Sequence, residues 1–93
     1  MVEIRSTTRK TFDQDDTPLD PDGWNTLDVG FTPESVIIRN DSDATLYYRD
    51  DADCDIHPIL AGETYETSLE TKTSFQLLPS GDDQQYRAWC RIN

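Results

Sequence analysis

The side chains with the most chemistry to offer sit between positions 50 and 57. Asp50-Asp51-Ala52-Asp53-Cys54-Asp55 is the densest run of carboxylates in the chain. Asp51, Asp53 and Asp55 fall at the 1-3-5 spacing with which a tight loop aims alternate oxygens at a calcium ion. The rest of such a loop is missing: the sixth position is Ile56 where a Gly is needed, and the twelfth is Gly62 where a bidentate Glu closes the site. Calcium is thus the alternative to a solvated, strand-linking loop, and no other cofactor is expected. Cys54 and Cys90 are the only cysteines. They either form one disulfide, worth ~3–4 kcal/mol through restriction of the unfolded chain, or remain free thiols, Cys90 then being a buried one. His57 is the only histidine, and a Cys–His nucleophile needs an orienting third group. No Ser lies in a nucleophile elbow, no Gly-rich loop is set to cradle a phosphate, and no His pair has metal-ligand spacing. No catalytic residues are expected, and the chain is read as a non-enzyme.

The other resource is large aromatic rings beside arginines, the combination from which binding hot spots are made. Trp24, Tyr48 with Arg49, and Arg87, Trp89 and Arg91 are the candidate contacts. Tyr47 is expected in the core, and Trp89 is read both as a core ring and as a contact. The segment Val2 to Thr11 holds Arg5, Arg9 and Lys10, the only concentrated positive charge. It either adds as an edge strand to a neighbouring molecule or is an ordinary first strand, so Arg5 and Arg9 join the candidate interface.

The elements that must carry these residues follow a period of two. Val36-Ile37-Ile38-Arg39, Leu46-Tyr47-Tyr48-Arg49, Ser74 to Leu78 and Gln85 to Ile92 are short and rich in β-branched and aromatic residues. In the last, Tyr86, Ala88, Cys90 and Ile92 face one side, and Arg87, Trp89 and Arg91 the other. Val2 to Phe12, Trp24 to Val29, Ile56 to Leu60 and Glu63 to Leu69 bring the total to about eight strands, with no helix of any length. Asp20-Pro21-Asp22-Gly23, Asn40-Asp41-Ser42-Asp43, Ala61-Gly62 and Pro79-Ser80-Gly81-Asp82 turn the chain between them. Turns every 8–12 residues in an all-strand chain predict an all-β, antiparallel β-sandwich or small barrel. Residues 1–93 read as one domain, with an acidic surface loop at 13–23.

Composition narrows the function. Ninety-three residues suit a single core, and 34% apolar content is below the usual ~45–50%. Two Trp, four Tyr and three Phe nevertheless set the chain apart from disordered sequences, which are poor in aromatics. Nineteen acidic residues against eight basic ones leave a net charge of −11. That charge opposes contact with a phosphate backbone, so no nucleic-acid partner is expected. No apolar run nears the ~20 residues of a membrane helix, and Met-Val-Glu-Ile-Arg lacks the layout of a signal peptide. Either a saline medium or a basic partner suits such an acidic surface.

From Ser35 to Asn93 the chain resembles the small virion proteins of tailed bacteriophages, of the capsid decoration or cement type. The resemblance is carried by Ser35-Val-Ile-Ile-Arg-Asn-Asp-Ser-Asp-Ala-Thr-Leu-Tyr-Tyr48, Pro58-Ile-Leu-Ala-Gly-Glu-Thr-Tyr-Glu66, Phe75-Gln-Leu-Leu-Pro79 and the closing Tyr86-Arg-Ala-Trp-Cys-Arg-Ile-Asn93. It implies a jelly-roll-like sandwich that binds the major capsid protein, or other virion proteins, at subunit junctions. Such a protein works as a homo-dimer or homo-trimer on the capsid exterior and resides in the host cytoplasm before assembly. A tail or host-attachment module that binds glycan is the alternative, with a calcium-stabilised binding module behind it.

Overall fold

A computed structural model describes residues 8–92 of the chain. Arg5 and the first part of the expected Val2–Phe12 segment lie outside them. Among the described residues there are eight strands: β1 (Thr8–Asp13), β2 (Asn25–Asp28), β3 (Ser35–Asn40), β4 (Leu46–Arg49), β5 (His57–Ile59), β6 (Thr64–Thr67), β7 (Ser74–Pro79) and β8 (Tyr86–Ile92). They form two four-stranded antiparallel sheets, ordered β1-β8-β3-β6 and β2-β7-β4-β5. Every connection except β4–β5 carries the chain from one sheet to the other. This alternation is the jelly-roll form of the β-sandwich, in which two sheets share one core.

Alternation along each strand builds that core. Phe12, Val36, Ile38, Tyr86, Ala88 and Cys90 point inward from one sheet, and Leu27, Leu46, Tyr48, Ile59, Phe75 and Leu77 from the other. Phe75, fully buried on β7, meets Phe12 edge-to-face at 5.9 Å and Tyr48 at 5.8 Å, tying the two layers together. Full burial of each such side chain is worth about 1.5–3 kcal/mol.

Buried polar groups close the ends of the sandwich. Asn40, wholly buried at the end of β3, donates to the carbonyls of Ala44 and Ile59 at 2.7 and 2.9 Å. Its side-chain oxygen accepts from the Ser42 amide and hydroxyl, and its own carbonyl accepts from the Gly62 amide at 2.9 Å. Gly62 has φ +75°, the left-handed conformation that favours glycine, and the Leu60–Glu63 turn closes around it. One asparagine thus fixes both the β3–β4 and the β5–β6 connections. The acidic stretch after β1 is more than a solvated loop: Leu19 is buried, Gln14 accepts from its amide, and the Tyr86 hydroxyl donates to the Thr17 carbonyl at 2.6 Å.

Candidate functional site

Chemistry-bearing side chains collect in three places: the outer face of each sheet, and a cleft at one end. On the β1-β8-β3-β6 sheet, register sets them in rows. Arg9 pairs with Arg91 and Arg91 with Ser35; Thr11 pairs with Trp89, Trp89 with Ile37 and Ile37 with Glu66; Asp13 pairs with Arg87 and Arg87 with Arg39. Four of the six arginines therefore share one face of an acidic chain. Trp89 is 38% exposed at its centre, with the Arg87 guanidinium 5.4 Å from its ring. Arg87 and Arg39 both bond Asp41, with Nε–O distances of 2.6 and 3.0 Å. The hydrogen bond from Arg87, with help from Arg39, holds the Asp41 carboxyl below its usual value. Arg9 and Arg91 take no part in the ion pairs among the described residues. With Thr11, Ile37 and Trp89 they line a shallow hollow of about 300 Å³.

The opposite outer face repeats the theme with less charge. The Arg49 guanidinium sits over Trp24, its carbon 4.0 Å from the ring centroid, an arrangement worth ~0.5–1 kcal/mol at a partly exposed site. Arg49 Nε donates to Gln76 at 2.5 Å, which holds the guanidinium over the ring. Tyr47 and Leu78 are half-buried alongside, and Pro58 of edge strand β5 is exposed.

The third place is a cleft of about 530 Å³ where the β4–β5 loop meets β6. Its acidic wall is Asp50, Asp53 and Asp55, and its aromatic side is His57 stacked on Tyr65 at 4.0 Å. The Tyr48 hydroxyl donates to Asp50 at its base. Burial together with that carboxylate pushes the phenol far above its usual pKa and keeps it protonated. None of the hydrogen bonds among the described residues joins His57 to a Ser, Thr or Cys. The partner of Cys54 is Lys72, whose ammonium donates to the sulfur at 3.1 Å.

Two expectations are corrected by this geometry, and three alternatives left open by the amino-acid sequence are decided. Tyr48 is not a surface contact: it is 3% exposed in the core, and its neighbour Tyr47, expected inside, lies on the outer side of β4. Trp89 likewise resolves outward. Cys54 and Cys90 are separate free thiols rather than a disulfide. Cys54 lies in the β4–β5 loop, whereas Cys90 faces the core, where burial pushes its thiol up to about 12. Asp51, Asp53 and Asp55 do not converge as calcium ligands: among the described residues no three His, Cys, Asp or Glu side chains are grouped to hold a metal ion. Asp51 instead accepts from the Ala52 amide.

Trp24 and Arg49 are brought together on one face, and Arg9, Arg87, Trp89 and Arg91 on the other, while Arg5 lies outside the described residues. Ile37, Arg39 and Asp41 were not singled out from the sequence. The alternation along β3 marks Ile37 as outward, but only the pairing of β3 with β8 puts it beside Trp89. No family model, no curated protein and no solved structure matches this chain.

Proposed function

We propose that this chain is a non-enzymatic virion structural protein that cements a capsid shell by binding at subunit junctions. One observation carries the reading. Both outer faces of a two-layer slab present a tryptophan with an arginine over it, Trp24–Arg49 on one side and Trp89–Arg87 on the other. A thin body with an aromatic–Arg contact on each face is built to lie between two neighbours and hold both, and Trp and Arg dominate binding energy at protein interfaces. The jelly-roll sandwich implied by the resemblance supports the same reading, although fold alone does not give function. High net charge suits a component that must stay dispersed until many identical sites are offered to it. The major capsid protein is the partner this reading names.

Purified shells freed of accessory proteins, mixed with the chain and pelleted through a cushion, test the proposal. Stoichiometric co-pelleting is expected, with Trp24→Ala and Trp89→Ala each weakening it about 30-fold, the effect of removing a ~2 kcal/mol hot spot. No pelleting, together with a saturable tryptophan fluorescence change on titration with oligosaccharides, would replace the cement reading with the glycan-binding one.

A further inference from the structure

We infer that the Arg9–Arg91 face of the β1-β8-β3-β6 sheet binds the β4–β5 loop of a second copy of this chain, head to tail. This deepens the bridging proposal by naming one of the two neighbours. Arg9 and Arg91 stand directly opposite each other across β1 and β8. Like charges in that position destabilise a sheet, and neither is neutralised by an ion pair among the described residues. Beside them Trp89 and Ile37 offer an apolar floor. The hollow therefore fits an apolar side chain flanked by carboxylates.

The β4–β5 loop has that make-up: Ile56 is 54% exposed, with Asp53 and Asp55 exposed next to it. The two surfaces are complementary in sign and in apolar content. A face-to-face pairing of two copies through the same hollow would set Arg9 and Arg91 against their own duplicates and is disfavoured by repulsion. Because loop and face belong to different sheets, each copy carries both halves on separate surfaces. The contact is heterologous, and it closes into a ring or extends according to the rotation it imposes.

Light scattering combined with sedimentation at 20 and 500 mM NaCl, on ~100 µM protein, reads the assembly state; opposite charges at an interface should make it salt-sensitive. The unmodified chain is expected to be an oligomer that dissociates toward monomer in high salt. Arg91→Glu, and separately Asp53→Asn with Asp55→Asn, should each weaken association at least tenfold. Mixed in equal amounts, these two variants should form a two-chain complex and nothing larger, because only one intact face and one intact loop remain. That mixing result also confirms that both variants are folded. A chain that is monomeric at every salt, or an oligomer that survives either variant, overturns the inference. A monomer that still pellets with shells in an Arg91-dependent manner assigns the face to a shell subunit instead, refuting the self-contact and leaving the cement proposal standing.

Discussion

Asp41 joins two strands and two arginines through one short side chain. It follows β3 directly, its amide donates to the Gln85 carbonyl at 3.1 Å, and its carboxylate takes Arg87 from β8 and Arg39 from β3. Folding therefore favours its ionised form, and its pKa lies below the ordinary 3.8. A group depressed in this way stabilises the fold fully above the unfolded value, and that contribution disappears as pH falls through the lower folded value. Asp41→Asn is accordingly expected to lower the urea midpoint at pH 7, by no more than ~1 kcal/mol because the arginines are largely solvated. The two proteins should converge in stability as the pH drops below 3.8. A gap that stays constant down to acid would mean that the carboxylate charge is irrelevant and that only the shape of the side chain matters.

At the scale of the strand, parity decides what a residue does, and β7 offers a direct test. Phe75 and Leu77 face the core, while Leu78 faces out beside Tyr47. Phe75→Ala is expected to cost about 3–5 kcal/mol by lost burial and cavity formation, a large part of the stability of a small domain. Leu78→Ala should cost ~1 kcal/mol or less, and equilibrium denaturation of both variants checks the contrast. The same parity was readable in the amino-acid sequence for β8, where Tyr86, Ala88 and Cys90 alternate cleanly with Arg87, Trp89 and Arg91. It was not readable for β4, because Leu46-Tyr47-Tyr48-Arg49 puts a tyrosine on each face, and only pairing with β7 decides which ring is inside. The eight strands and their turns follow from local pattern and turn chemistry. The sheet order does not, since β8 pairs with β1 and β3 across most of the chain length. For that reason Arg87, Trp89 and Arg91 could be grouped in advance, but the arrival of Ile37 and Arg39 beside them could not.

Over the whole molecule, the net charge of −11 acts against the compact state, and the structure offsets little of it locally. The ion pairs among the described residues all converge on Asp41, while Asp51, Asp53, Asp55, Asp82 and Asp83 stand exposed. Raising salt from 10 to 150 mM shortens the screening length from about 30 to about 8 Å, less than the span of the sandwich. Repulsion between distant carboxylates is thereby removed, while the short Arg–Asp41 contacts are only softened. Stability should therefore rise with salt, by about 1 kcal/mol, which for a domain of this size is on the order of 5 °C in Tm. The ion's identity distinguishes screening from binding. With the carboxylates of the β4–β5 loop not grouped as metal ligands, calcium chloride and sodium chloride at equal ionic strength should give the same Tm, and chelator should change nothing. An additional calcium-specific rise, lost on chelation and absent in Asp51→Ala with Asp53→Ala, would be a linkage effect of a bound ion. It would show that this loop rearranges to bind metal rather than remaining the open acidic surface that the self-contact requires.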